Sequence, residues 1–430
     1  MTAVKTGDTA QVVSPGANAS ASDADGVPKY VPLSESQEKP TSDTLGEDVE
    51  PKMLYQSRLE VGDQIPGTSY RILEWLGEGA AGVVYRCEHV ELERPAALKI
   101  LRPDVAPDSR RAQLFRAEAK VASRSRTAGN DGSTASIALG SPYVVDVFDF
   151  GELPDGRMWF AMELLDGHSL SKELGRDLDG DKWAPEKAIG VLRQVCKGLG
   201  AAHDAGFIHR DVKPHNIMLV KRGTRTDHVK LVDFGVAAAI ERGRDDEFLA
   251  GTPHYMAPEQ ARGADYDQRL DIYGLGCVAY RMLTGRPPFL ADSVMALLRM
   301  HREEMPVPPN EVPGCENIPK PLGEAVLKAL AKDPDDRYQT MAEFEAALCE
   351  AQIAAKLRTD WDHLPLPRVD ANRMARLERD MPKPKEVHVK RSPWLVAIAG
   401  ALVLTTGSTA VWALTRSPET AEQRDQIDQL

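Results

Sequence analysis

The chain has 430 residues, of which 42% are apolar, and a formal net charge of −12. It is longer than one average domain of about 150 residues, and its acidic balance excludes a general nucleic-acid binder, which carries a basic excess. Five scattered cysteines with no C-x-x-C pair exclude a disulfide framework and a cysteine zinc site, and read as reduced thiols in a cytosolic domain.

The opening stretch MTAVKTGDTAQVV lacks the apolar run of a secretory signal. Residues 1–60 hold 5 Lys/Arg against 10 Asp/Glu and are rich in Ser, Thr, Ala, Pro and Gly. Without a sustained apolar period they read as a disordered acidic leader, with a docking role as the alternative. From about Tyr70, short strand-like runs follow one another: YRILEWLG, GVVYRCEHV and RPAALKIL. A helical stretch at 108–125 comes next, then a loop insertion at 127–141. YVVDVFDFGEL and RMWFAMELL follow as two more strands, joined through a P-D-G turn at Pro154–Gly156. Beyond them helices dominate: PEKAIGVLRQVCKGLGAAHDAG, DIYGLGCVAYRMLTG, SVMALLRMHREE, PLGEAVLKALAKD and TMAEFEAALCEAQIAAKL. Strands and helices segregated in this way predict an α+β fold of two lobes, a small strand-rich one before a larger helical one. Residues 351–392 read as a linker, rich in proline and charge from 358 onward and without a clear amphipathic face.

WLVAIAGALVLTTGSTAVWAL, Trp394 to Leu414, has 21 residues and no charge. As a helix it would span roughly 30 Å, the hydrocarbon thickness of a bilayer. Trp394 and Trp412 stand near its ends as interfacial aromatics do. The segment is expected to cross a membrane once. Lys383, Lys385, Lys390 and Arg391 precede it, against Arg416 and Arg424 beyond it, which puts the body of the chain on the cytoplasmic side. The polar tail at 415–430 is too short for a folded sensor. Ala397 and Ala401 form a small-x-x-x-small pattern that could pair two spans into a homodimer.

LGEGAAGVVY, residues 76–85, is glycine-rich where a strand should avoid glycine. Gly77, Gly79 and Gly82 form G-x-G-x-x-G with Val84 two residues on. In a dinucleotide fold these glycines would open a helix. Here they lie between two strand-like runs, and Lys99 follows in the strand AALKI. That combination fits a flap over a triphosphate: bare N–H groups approach the oxygens, and an ammonium reaches them from the next strand. A lysine on a buried strand needs a partner. Glu118 lies at helical spacing from Leu114, Phe115, Val121 and Ala122, on the apolar face of its helix, and is the candidate. The alternative is a solvated glutamate at the helix edge.

HRDVKPHN, His209 to Asn216, offers three polar tips on a loop held by a proline. Asp211 can orient and deprotonate an attacking hydroxyl, Lys213 can neutralise a migrating phosphoryl group, and Asn216 can ligate a hard cation. The strand VKLVDFG ends in Asp233, a second oxygen ligand suited to Mg²⁺.

Across roughly residues 70–350 these motifs, in this order, resemble the eukaryotic-type (Hanks-type) protein Ser/Thr kinases, those of bacteria in particular. The resemblance implies the bilobal protein kinase fold, ATP and Mg²⁺, and protein Ser/Thr hydroxyls as substrates. It makes Leu76, Gly77, Glu78, Gly79, Ala80, Ala81 and Gly82 the nucleotide flap, and Val84, Ala97, Met162 and Met218 the walls of an adenine pocket. The backbones of Glu163 and Leu165 would meet the adenine edge. Lys99 with Glu118, and Asp211 with Lys213, are implied as the catalytic set, and Asn216 and Asp233 as the metal ligands. Asp271 resembles the anchor of the large helix, and Arg337 the partner of Glu259 in the A-P-E motif. Gly274 departs from the family, which often has serine there. No catalytic position is missing, which argues against the alternative of a membrane-tethered, nucleotide-binding pseudokinase scaffold.

Arg210 precedes the catalytic aspartate, where related kinases often pair an arginine with an activation-segment phosphate. Residues 236–251 contain no Ser, Thr or Tyr but do contain Asp245, Asp246 and Glu247. This acidic triplet is expected to neutralise Arg210 without phosphorylation, the alternative being a solvated charge run. Thr252 could itself be modified, or could hydrogen-bond near Asp211.

Overall fold

The computed structural model describes residues 59–383 apart from 80–81, 107–108, 110–111, 114, 117, 120–139, 176–179 and 235–252. The leader up to residue 58, Ala80, Ala81, nearly all of the 127–141 insertion, Asp245, Asp246, Glu247, Thr252, the 394–414 segment and the 415–430 tail therefore lie outside the described residues. Among the described residues, no helix is long and apolar enough to cross a membrane.

The small lobe is a five-stranded antiparallel sheet of β1 (Tyr70–Glu78), β2 (Gly82–His89), β3 (Arg94–Leu101), β4 (Val147–Glu152) and β5 (Met158–Met162). Its strand order is β1-β2-β3-β5-β4. Strand β3 is central, and every residue from Ala96 to Leu101 is buried. The period-2 alternation of a strand divides them between two cores. Leu98 and Ile100 pack with Tyr70, Ile72, Tyr85 and Trp159 on one face. Leu101 packs with Phe115, Val147 and Phe160 on the other. The two glycines Gly77 and Gly82 at the glycine-rich end differ in the space around them. A Cβ added to Gly82 would come within 2.8 Å of the Ile100 carbonyl, whereas one added to Gly77 would meet nothing within 4 Å. Gly82 is thus needed for strand packing, and Gly77 leaves backbone open to whatever lies over it.

The sheet begins earlier than the sequence reading placed it. Gln64 bridges Arg71, and Gly62 and Ile65 donate to the carbonyls of Ile72 and Tyr70. Ile65 is fully buried, so residues 61–65 cover the free edge of β1. The predicted strand 143–153 also divides. Only Val147–Glu152 joins the first sheet, while Val145 N donates to Leu231 O and Leu231 N to Tyr143 O, tying residues 143–145 to the large lobe.

The large lobe carries a second sheet, β6 (Gly167–Ser169), β7 (Ile217–Arg222) and β8 (Arg225–Leu231). Its helices are α1 (Leu170–Glu173), α2 (Pro185–Asp204), α3 (Pro258–Arg262), α4 (Arg269–Thr284), α5 (Val294–Glu303), α6 (Lys320–Ala329), α7 (Met341–Ala354) and α8 (Ala371–Asp380). All of α4 beyond Arg269 is buried, the charged Asp271 and Arg281 included. It packs with α2 and α6 in one core that also holds Phe234 and Leu231. The five cysteines are free and buried.

The segment beyond α7 differs from the linker expected there. Residues 355–383 lie against the large lobe. Trp361, Leu364 and Leu377 are buried, and Leu377 packs on Ala346 and Cys349 of α7. Arg373 on α8 forms a two-pronged pair with Glu350, at 2.7 Å for each contact. The apolar residues of α8 are few, and Met374, Leu377 and Met381 lie three and four apart among charges. Such a narrow stripe between prolines does not stand out as an amphipathic face.

Candidate active site

Sheet register assembles the upper half of the site. Val84 stands opposite Lys99, Lys99 opposite Phe160, and Ala97 opposite Met162. Paired residues share a face, so Val84, Ala97, Lys99 and Met162 look the same way. Met218, half-buried on β7, belongs to the other lobe. Leu76, Glu78 and Gly79 at the end of β1 are exposed, and Glu78 reaches Arg102.

Lys99 is 7% exposed and Glu118 5%. The ammonium donates to both oxygens of Glu118, at 2.7 and 2.9 Å, and to Asp233 Oδ1 at 2.8 Å. The carboxylate on the apolar helix face thus sits against the strand lysine, not in solvent. Burial works against the lysine charge, but Asp233 and Glu118 outweigh it and hold the group above the ordinary lysine range. Burial pushes Glu118 up to about 7, against the pull of Lys99 and with some help from Asp233. Lys99 keeps the Asp233 carboxyl low. The Asp233 side chain is 50% exposed, so this member of the trio faces the opening.

The backbone of the site is strained at two points, one in the catalytic loop and one just after β8. Arg210 has φ 66° and Asp233 φ 54°, a region costly for any residue with a side chain. The offsetting contact is visible at Arg210. Asp271, fully buried at the start of α4, accepts from His209 N and Arg210 N, both at 2.8 Å, and contacts His203 Nε2 at 2.8 Å. Below the loop, the His209 ring packs on Phe234 at 4.6 Å. The Arg210 guanidinium lies 4.9 Å from the Tyr266 ring centre. A Cβ on Gly274 would come within 3.1 Å of Val212 Cβ, so the glycine that departs from the family pattern gives this loop room.

Asp211 is held from two sides: Lys213 Nζ at 2.6 Å from Oδ2, and Asn216 Nδ2 at 3.1 Å from the same oxygen and 2.8 Å from the Asp211 carbonyl. With the Asn216 nitrogen committed, its amide oxygen is what remains for a cation. Among the described residues no group of three or more His, Cys, Asp or Glu gathers as a metal site. Magnesium in a phosphoryl-transfer site does not require one, because phosphate oxygens and waters complete its shell. The hard oxygens of Asn216 and Asp233, with open space over Gly77, fit a magnesium nucleotide.

Where the lobes join, Glu163 N donates to Asp146 O at 2.9 Å, which leaves the Glu163 carbonyl and Leu165 to meet a ligand edge. The Glu163 carboxylate accepts from Asp146 N at 2.9 Å and pairs with Lys230 on β8, which also donates to Val144 O at 3.1 Å. Lys230 went unremarked in the sequence. Its signal was the one that singled out Lys99: a lysine inside an apolar strand, VKLV, in want of a partner. The A-P-E glutamate, Glu259, is buried against Arg337, with Nη1 and Nη2 at 2.7 and 2.8 Å from its two oxygens.

A strand-rich lobe bearing the Lys99–Glu118 pair, over a helical lobe bearing the Asp211 loop and Asp233, defines a protein kinase. A family model for the protein kinase domain matches residues 70–348, and the chain belongs to that family. It is 38% identical over 355 residues to the serine/threonine-protein kinase PknB of Mycolicibacterium smegmatis, covering 78% of this chain and 53% of that protein. It is 36% identical to the serine/threonine-protein kinase pkn3 of Myxococcus xanthus, covering 69% and 52%. The chain therefore spans about half the length of the curated relatives it matches. Among solved structures it resembles the crystal structure of the Mycobacterium tuberculosis PknI kinase domain, with TM-score 0.50 and 28% identity, over 69% of this chain and all of that one.

Proposed function

We propose that the protein is an ATP-dependent protein serine/threonine kinase that transfers the γ-phosphoryl group of Mg-ATP to Ser or Thr hydroxyls of other proteins. The observation that carries this reading is the three-way contact of Lys99 with Glu118 and Asp233, set with Asp211 on a loop braced by Asp271. Lys99, fixed by Glu118, neutralises phosphate oxygens. Asn216 and Asp233 would hold magnesium, which when bound would supply positive charge against the phosphate oxygens. Asp211 orients the incoming hydroxyl and takes its proton as the new phosphorus–oxygen bond forms and the bond from the γ-phosphorus to the departing ADP breaks. Lys213, already against Asp211, offsets charge on the transferred group. Val84, Ala97, Met162 and Met218 line the base, with the Glu163 carbonyl and Leu165 backbone at its edge.

We further infer that the chain signals from the cytoplasmic face of a cell membrane, anchored once by Trp394–Leu414, with Lys383, Lys385, Lys390 and Arg391 on the inner side. Pairing of spans through Ala397 and Ala401 would give a homodimer. Asp245, Asp246 and Glu247 would replace an activation-segment phosphate opposite Arg210, with Thr252 near Asp211. The test of the chemistry is transfer of label from radiolabelled ATP to a generic basic protein, with Asp211→Asn as control. Transfer by wild type and loss of about 10²-fold or more in the variant supports the enzyme. No transfer by either favours a nucleotide-binding scaffold. Membrane fractionation of the full chain beside one truncated after Lys383 tests the anchor.

A further inference from the structure

We propose that Trp361, in the extension that follows the kinase fold, is a positioning residue for nucleotide binding, acting through strand β8. This rests on the kinase reading above. Trp361 is 5% exposed. Its indole Nε1 donates to Asp227 Oδ2 at 2.7 Å. Its ring lies 6.0 Å from the His228 ring and beneath the Arg225 guanidinium at 4.4 Å. All three contacts fall on the first half of β8. On its other side the ring packs on α2, where a Cβ added to Gly190 would come within 2.8 Å of Trp361 Cδ1. The indole is thus wedged between α2 and β8.

The wedge is itself held. Asp362 Oδ1 accepts from Thr359 N, Thr359 Oγ1 and Gln352 Nε2, and Trp361 N donates to Thr359 Oγ1. The buried Arg193 of α2 reaches the carbonyls of Leu364 and Pro365 at 3.4 and 3.5 Å.

Strand β8 connects this wedge to three parts of the nucleotide site. Lys230 pairs with the Glu163 carboxylate where the lobes join. Met218, an adenine-wall residue, stands opposite Lys230 in the β7–β8 register. Beyond Leu231 the chain leads directly to Asp233, with Val232 N donating to Asn216 O at 3.0 Å. Gln194 of α2 straddles the strand, donating to Asp227 O and accepting from Val229 N, both at 3.1 Å. Gln194 thus ties the middle of the strand to α2, and Trp361 fills the space between α2 and the strand's outer end.

The experiment uses the full chain and reads the Kd for Mg-ATP, with KM for ATP and kcat from label transfer. Trp361→Ala is expected to weaken Kd and KM about three- to tenfold while changing kcat less than about twofold. Asp227→Ala, which removes the indole's acceptor, is expected to shift Kd in the same direction, and Trp361→Phe, which keeps the ring, to shift it less. Leu377→Ala loosens the same extension without touching β8 and is expected to lower thermal stability but leave Kd unchanged. An unchanged Kd in both Trp361→Phe and Asp227→Ala overturns the proposal even if Trp361→Ala does not fold. So does an equal shift in Leu377→Ala. If the wild type transfers no label, the kinase reading fails by itself, and the Kd series still decides the role of Trp361.

Discussion

One buried cation–carboxylate pair in each lobe can be set against the other, and the two are built differently. Arg337 and Glu259 form a closed unit. Both terminal guanidinium nitrogens meet the carboxylate, and the remaining donors go to the carbonyls of Ala331, Arg269 and Lys332. Lys99 and Glu118 form an open one. The ammonium spends its third donor on Asp233, which is half exposed and can turn to a ligand. A planar fork with every donor satisfied is a fastener. A point charge sharing two acids, one of them facing the cleft, is a device whose partner can be exchanged.

The contrast breaks most sharply at the closed pair. Arg337→Ala leaves Glu259 buried without its cation, and should cost about 3–5 kcal/mol of folding free energy, read by denaturant unfolding. Arg337→Lys should recover little of it, because an ammonium cannot meet both oxygens and three carbonyls. If Arg337→Ala unfolds at the wild-type midpoint, the fastener reading is wrong. Lys99→Met should do the reverse. Activity falls about 10²- to 10³-fold, but stability changes little. Glu118, already pushed up to about 7, can take a proton in place of the lost ammonium. A large loss of thermal stability in Lys99→Met would erase the distinction between the two pairs. Glu118→Gln comes next, with activity reduced about 10- to 100-fold, because Asp233 still holds Lys99 but nothing fixes it when Asp233 turns away. Activity at the wild-type level would show that Glu118 does not position the lysine.

The open pair could be read from the sequence, because a lysine in AALKI and a glutamate on an apolar helix face each need an explanation that only the other supplies. Arg337 and Glu259 were named only through the family resemblance, since nothing in DPDDRY or APE by itself demands a partner. The two-lobe division was legible for a similar reason, in the change from period-2 runs to helical ones. What escaped were elements whose burial depends on distant partners. Residues 61–65 add an edge to β1 with little apolar content beyond Ile65. Trp361 and α8 stand in a stretch dominated by proline and charge. Tertiary contacts, not local pattern, place them.

A half-buried cation sharpens the comparison at the smallest scale. Lys332 lies beside Arg337, its ammonium 2.9 Å from His301 O, 3.3 Å from Met300 O and 4.4 Å from the Phe289 ring centre. It has acceptors, but no carboxylate pairs with it among the described residues. Burial, with Arg337 nearby, lowers its pKa to about 8, whereas Lys99 between two acids goes up. An unfolded lysine titrates near about 10.4. Between those values the unfolded chain binds more protons than the folded one, so this group makes stability rise with pH. Its contribution is complete above the unfolded value and is lost as pH falls through about 8. Lys332→Met should flatten that rise by about 1 kcal/mol once solvent screening is allowed for. The measurement is the difference in unfolding free energy between wild type and variant from pH 7.5 to 10, in which titrations common to both cancel. A difference that does not vary with pH would mean that Lys332 keeps its ordinary proton affinity. The two lysines would then no longer be told apart by the carboxylates that one meets and the other lacks.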